Sequence, residues 1–405
     1  VTHTESVTGI EPGTPEYRRA LLALFAVGLS TFALIYTVQP LLALIGADFG
    51  QNASQAALLM STTTGAIALA VIPLGALSAR VGRGNVIIGS LAVAIVCALA
   101  MFWAQSWELL VILRTVQGIA IAGPPAAAIA WVAEEISPRA VTRVGGLYIA
   151  GTTVGGMSGR IVAGFAADLW GWRWGILTVA IISAILAGFA HLIMPRSTAT
   201  SRENVRTGPR REDRPELKAQ RVKLYALGGL GMAMFVGVFN VIGFRTALPP
   251  YSLGAGIGSM FFLTYLAGTF TSSAVGRIQE RLGPRLTVLT AIATMAVGVA
   301  LTMASPILVI WLGLLILCAG FFAMHALASS SSSRLHPQPS MASGIYLFCY
   351  YFGSSVGGIA LGAAWDAGKW SVTAGVALAI IAVLGVIGIG LTRTSLPSPH
   401  VRNVE

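Results

Sequence analysis

Long apolar runs recur between residues 20 and 393 of this 405-residue chain, separated by short polar breaks. Many reach about 18 residues or more, the length at which a helix spans the hydrocarbon core of a bilayer. In lipid every backbone N–H and C=O must find a partner, so spanning segments are helices or strands of a closed barrel. Barrel strands alternate apolar and polar residues, and these runs do not. Read between the breaks, the spans fall near 20–44, 56–79, 85–104, 107–131, 141–166 and 174–194, and then near 224–248, 257–276, 286–304, 307–329, 341–363 and 371–393. The expected fold is therefore an all-α membrane protein of twelve transmembrane helices. Composition agrees, since charged residues make up 10% of the chain against about 25% in soluble domains. Cys97, Cys318 and Cys349 lie within apolar runs, show no metal-ligand spacing and read as small buried hydrophobes.

A net charge of +11 could suggest nucleic acid, but its distribution assigns it to topology. With both termini placed in the cytoplasm, 21 of the 26 lysines and arginines fall on that side, nine of them between Arg196 and Lys223. The external loops keep Arg173 and Lys369, and Arg114, Arg160 and Arg245 lie inside spans. This asymmetry follows the positive-inside rule. It predicts a multi-pass protein of a cell membrane, in contact with the bilayer and not with nucleic acid. Residues 1–17 read as a disordered cytoplasmic tail, 18–194 as a first six-helix bundle and 195–222 as a basic linker with a short surface helix near Pro215–Lys223. Residues 223–394 form a second bundle and 395–405 a cytoplasmic tail.

The two halves repeat one another. Gly75-Ala-Leu-Ser78-Ala-Arg80-Val-Gly82-Arg83 after span 2 matches Gly276-Arg-Ile-Gln279-Glu-Arg281-Leu-Gly283-Pro-Arg285 after span 8. Gly151-Thr-Thr-Val-Gly155-Gly156 in span 5 matches Gly353-Ser-Ser-Val-Gly357-Gly358 in span 11. Tyr148 and Tyr346 precede these blocks, and Asp168 and Asp366 follow them. Parallel six-helix repeats predict two pseudo-symmetric bundles with a path between them.

The Gly75–Arg83 segment resembles the loop signature of the major facilitator superfamily, and Arg114-Thr-Val-Gln117-Gly118 resembles its helix-4 motif. Gly151-x-x-x-Gly155 is similar to the helix-5 motif of the twelve-helix bacterial drug:proton antiporters. Tyr36-x-x-Gln39-Pro40 and Glu134-Glu135-Ile136-x-Pro138 resemble a drug-exporter-like bacterial branch. The chain departs from these patterns at Ser78, where an acid is usual, and at Gly156 and Arg160. The resemblance implies a secondary transporter of a bacterial inner membrane, driven by protons and working as an exporter by alternating access. It implies a gate in which Arg80 and Arg83 meet Glu134 and Glu135, with Gly75 and Gly82 shaping the turn. Gly276, Arg281, Gly283 and Arg285 are its counterpart in the second half.

In span 5, Gly151, Gly155 and Gly159 share one helical face and predict a smooth interface on which the halves rock, as Gly353 and Gly357 do in span 11. A buried arginine costs about 2.5–3.5 kcal/mol at a helix centre, so Arg114, Arg160 and Arg245 should face a cavity or a partner. No aspartate or glutamate lies deep in any span. A cationic cavity is therefore expected, suited to a small anionic or amphipathic substrate, with Tyr36, Gln39, Asn240 and Tyr265 as further contacts. Alternative substrates are an anionic lipid or lipid-linked metabolite, or an anion exchanged without protons; a non-transporting sensor is the bland alternative. Asp48, Glu108, Asp168 and His325 are the candidates for carrying the coupling proton. The sequence holds no phosphate-binding glycine loop, metal motif or catalytic constellation, so neither an enzyme nor a cofactor is expected, and the protein is expected to act as a monomer.

Overall fold

The computed structural model describes residues 9–195 and 215–391, which form helices joined by short turns. Nine helices among the described residues are long and apolar enough to cross a membrane. One of these, Met341–Ile389, is two helices merged across a break at Gly368 and Lys369. Two further helices, Val141–Trp170 and 255–282, have the length but are diluted in hydropathy by glycine, serine, threonine and arginine.

The helices are α1 (Pro15–Asp48), α2 (Ala53–Val81), α3 (Arg83–Trp103), α4 (Trp107–Glu135), α5 (Val141–Trp170) and α6 (Trp172–Ile193). The second set is α7 (Pro215–Ala247), α8 (255–282), α9 (Pro284–Leu301), α10 (Ile307–Leu335), α11 (339–367) and α12 (370–389). Each set of six closes around its own apolar core. Alternate helix ends gather at two faces. The basic face carries Ile10, Arg83, Glu134 and Leu391, and the far face carries Asp48, Arg173 and Lys369. Exposed leucine, isoleucine, valine and phenylalanine side chains cover the outside, with Trp103, Trp170 and Trp174 exposed near the far face. This is the lipid-facing pattern of a membrane protein with interfacial tryptophans.

The chain is ordered earlier than its polarity predicts. Ile10 pairs with the end of α4 through Ile10 N–H to Glu135 O (2.8 Å) and Ser137 N–H to Ile10 O (3.2 Å), and Thr14 caps α1. The surface helix expected near Pro215–Lys223 is instead the first part of α7, which starts at Pro215 and runs on unbroken. Most of the 195–222 linker and the 395–405 tail lie outside the described residues.

The glycine face of α5 serves a different contact from the one expected. A Cβ on Gly151 would lie 2.5 Å from Phe25 O, on Gly155 2.1 Å from Leu29 O, and on Gly159 2.6 Å from Ala33 Cα. The ridge therefore seats α1 within the same bundle, not the opposite bundle. The second half repeats this, with Gly353 against Gly229 and Gly357 against Ala233. One turn further on the small residue changes sides, because Leu361 packs over Gly237.

Pro40 breaks α1. It lacks an N–H, and its ring crowds the carbonyl four residues earlier, so the α-helix stops at Tyr36 and resumes at Leu42 after a 3-10 turn. Tyr36 ends the first segment and Gln39 lies within the break.

Candidate substrate-binding site

Of the three arginines inside spans, Arg160 alone sits between the bundles. It is 1% exposed on α5. Its guanidinium carbon lies 3.8 Å from the Tyr36 ring centroid, 4.5 Å from Phe262 and 4.9 Å from Tyr265. Rings on a guanidinium face are an attractive arrangement that strengthens as water is removed. Tyr36 comes from the first bundle, and Phe262 and Tyr265 from the second.

A hydrogen-bond relay runs from this arginine across the interface. Arg160 Nε–H donates to Gln39 Oε1 (2.7 Å), and Gln39 Nε2–H donates to Asn240 Oδ1 (2.7 Å) on α7. Arginine can only donate, so it fixes the orientation of the Gln39 amide, which in turn fixes Asn240. Each amide oxygen thereby accepts one hydrogen bond. Four buried groups at this junction make no hydrogen bond: Arg160 Nη2, Asn240 Nδ2, Tyr265 Oη and Ser61 Oγ. All four can donate. Arg160 has no carboxylate partner among the described residues. The Arg160 and Asn240 nitrogens can only donate and the two hydroxyls can do so too, so the site suits a ligand rich in acceptors. A small cavity of about 90 Å³ adjoins the cluster toward the far face, with Gln39 and Phe262 in its wall.

The structure thus brings together Tyr36, Gln39, Arg160, Asn240 and Tyr265 of the expected contacts. It places Arg114 and Arg245 elsewhere. Arg114 is buried in the first bundle, where it donates to Leu59 O (2.9 Å), Leu34 O (3.2 Å), Ile35 O (2.8 Å) and Gln117 Oε1. Leu34 and Ile35 are carbonyls freed by the break in α1, so Arg114 caps a helix end. Arg245 reaches Ala304 O (2.8 Å) and Thr302 O at the far end of α9, with its guanidinium over Trp370. Polarity alone does not separate these roles, because all three arginines interrupt apolar runs.

The coupling candidates are scattered. Asp48 pairs with Arg173 (3.1 Å) and accepts from Trp172 Nε1 (2.9 Å), and Glu108 is exposed at the start of α4. His325 is half-buried on α10, with Nδ1 2.9 Å from Tyr346 Oη and its ring centroid 4.8 Å from that of Tyr350. Asp168 receives Ala255 N–H (2.7 Å) and Gly256 N–H (2.9 Å) from the start of α8. Its repeat partner Asp366 receives Ala53 N–H (3.0 Å) and Ser54 N–H (2.9 Å) from the start of α2.

These are two matched clasps between the bundles at the far face, each a carboxylate on free helix-end N–H groups. Contacts between α5 and α8 concentrate at 255–264, on the far side of Tyr265. Replacing both aspartates by alanine is expected to open that face. A water-soluble maleimide should then label a cysteine at buried Thr246, native cysteines having been replaced, about tenfold faster than in the clasped protein. Unchanged labelling would show that the clasps do not hold the face shut.

At the basic face, Arg83 joins Glu134 (3.0 Å) and bonds Ser78 Oγ (2.6 Å) and Gly75 O (3.1 Å). Ser78, standing where an acid is usual, thus still engages the arginine. The whole cluster lies within the first bundle, so it ties α2 and α3 to α4 and not one half to the other. Arg80 is exposed, and Glu135 is buried under Ile10. Gly82 and Gly283 adopt φ of 101° and 75°, which explains glycine at the turn into α3 and α9. Gly75 and Gly276 both have room for a side chain, so close approach does not explain them. Arg281 is exposed and Arg285 half-buried.

Two six-helix bundles enclosing a buried polar junction, clasped at one face, make up the frame of a membrane transporter. The chain matches the Major Facilitator Superfamily over residues 21–258. It is 34% identical over 402 residues to the uncharacterized MFS-type transporter YybF of Bacillus subtilis, covering 98% of this chain and 99% of that protein. It is 34% identical over 395 residues to the inner membrane transport protein YnfM of Escherichia coli, covering 95% and 93%. The fold is similar to that of a bacterial homologue of the human lysosomal transporter Spinster in its inward-facing, occupied conformation, with a TM-score of 0.71 and 16% identity over 96% of this chain and 100% of that one. The chain belongs to the Major Facilitator Superfamily. It is a multi-pass membrane transporter of that type.

Proposed function

We propose that this protein is a proton-coupled secondary transporter that exports a small anionic or amphipathic molecule by alternating access, binding it at Arg160. The carrying observation is the polarity of the buried junction, in which the Arg160 guanidinium has no carboxylate beside it among the described residues and its Nη2 and the Asn240 Nδ2, which can only donate, make no hydrogen bond. Residues of both bundles build it, so the site is remade whenever the bundles rock. On this reading the basic face is cytoplasmic, as the lysine and arginine excess requires, and the clasped far face is external. Export follows the resemblance to the drug-exporter branch. His325 is the favoured proton carrier, because its ring meets Tyr350 where the two cores join, whereas Asp48, Glu108 and Asp168 lie at the far face.

Purified protein in liposomes with an imposed pH gradient tests this. Anionic candidates are expected to exchange for protons, and Arg160→Gln to lower that flux about tenfold or more while the protein stays monodisperse. Cation transport undiminished in Arg160→Gln would overturn the anionic site. Flux indifferent to the pH gradient would overturn the coupling.

One observation favours a second reading, export of an anionic lipid-like molecule. A groove of about 610 Å³ lies between α2, α4 and α11, walled by Leu69, Leu74, Ile119 and Ile359 and reaching Ser61 at the junction. Protein-dependent flip of a fluorescent lysophospholipid would support that reading.

A further inference from the structure

Resting on the reading of Arg160 as an anion site, we propose that the substrate is an aromatic carboxylate. Its carboxylate takes the free donors of the junction, and its ring joins the aromatic wall beside them.

The donors converge. A Cβ built on Gly358 would stand 2.6 Å from Ser61 Oγ and 2.9 Å from Asn240 Nδ2. Two unbonded polar groups, one from each bundle, therefore face the same spot beside Gly358, so closely that a methyl group there would crowd both. Asn240 is also the end of the relay that begins at Arg160, so its Nδ2–H is held as a donor toward that spot.

Rings set the remaining geometry. Tyr36, Phe262 and Tyr265 lie over the Arg160 guanidinium, which leaves its edge, with the unbonded Nη2, as the approach for an acceptor group. A planar carboxylate matches a guanidinium edge. The part of the ligand behind the carboxylate then meets Tyr265. That ring is surrounded by rings, with centroids 5.0 Å from Phe239, 5.3 Å from Phe235 and 5.8 Å from Phe322. Tyr265 and Phe322 are half-buried, unlike the fully packed Phe235 and Phe239 behind them. Stacked and edge-to-face ring pairs gain attraction that a saturated group of equal size does not.

Calorimetric binding to the full-length purified protein in detergent separates the alternatives, with phenylacetate, cyclohexylacetate and 2-phenylethylammonium as probes. Phenylacetate is expected to bind about tenfold tighter than cyclohexylacetate, and the ammonium not to bind. Tyr265→Leu should bring the two acids to equal affinity, while Tyr265→Phe should keep their ratio. Gly358→Ala, which fills the spot between Ser61 and Asn240, should weaken both acids alike. Equal affinity of the two acids in the unmodified protein overturns the aromatic inference and leaves the anion site standing. Preference for the ammonium overturns both. Failure of either acid to bind at millimolar concentration also overturns the inference.

Discussion

Arg114→Ala is expected to cost most of the folded protein, although Arg114 touches neither the bundle interface nor the proposed substrate. Its guanidinium satisfies the carbonyls of Leu34, Ile35 and Leu59 in a fully buried place. Each buried carbonyl left without a donor costs about 1–3 kcal/mol. Leu59 O keeps Thr63 Oγ1 as a donor, so two carbonyls, Leu34 O and Ile35 O, lose their partner, and their combined loss reaches the lower part of the roughly 5–15 kcal/mol that separates folded from unfolded chains. Lysine is expected to rescue little, since one ammonium on a flexible stem does not reproduce a rigid planar fork. Size-exclusion profiles and thermal melts in detergent should show loss of the monodisperse peak for Arg114→Ala and Arg114→Lys. A melt like that of the unmodified protein would show that water or a neighbouring group replaces the cap. The same carbonyls border the α1 break that presents Tyr36 and Gln39, so milder substitutions should also disturb substrate binding indirectly.

Gly155→Ala is the second large effect. The added methyl would sit 2.1 Å from Leu29 O and 2.6 Å from Leu29 Cα, both backbone atoms that a rotamer change cannot move aside. Helices α1 and α5 would have to part, and overpacking of this kind costs about 1–3 kcal/mol where neighbours can still yield. The same substitution at Gly146, on the same helix with nothing within 4 Å of its would-be Cβ, is the control. Gly155→Ala should lower the melting temperature and the yield, and Gly146→Ala should leave both unchanged or slightly raised. Equal behaviour of the two would mean that the α1–α5 contact is looser than the close approach implies.

Much of the architecture was legible because it follows from one physical demand. Backbone polar groups in lipid must be paired within the segment, so each apolar run has to be a helix. The spans read from the sequence correspond one to one with the observed helices, and their repeat is visible again in how α1 seats on α5 and α7 on α11. Departures occur where polarity misleads. Residues 9–14 read as a tail yet dock under α4, because two backbone hydrogen bonds outweigh a polar composition. The start of α7 reads as linker because its charges obscure the helix.

The candidate site was legible only in part. Tyr36, Gln39, Arg160, Asn240 and Tyr265 stand out as polar or aromatic groups in apolar runs. Phe262 and Ser61 carry no such signal, being ordinary residues of their helices. Asp168 and Asp366 could be read as repeat partners, yet nothing in their spacing announced that each holds the start of a helix in the other bundle.

The sequence by itself therefore determined the number and character of the spans, the two-bundle repeat and the presence of three arginines that each require compensation. The tertiary structure decided what compensates each of them. Arg114 was given freed carbonyls in its own bundle, Arg245 the end of a neighbouring helix, and Arg160 three rings and an amide relay between the bundles. The physical reason is range. Helix formation in lipid is settled by partners four residues away, whereas the partner of a buried charge is whatever the packing of distant segments brings within about 3 Å of it.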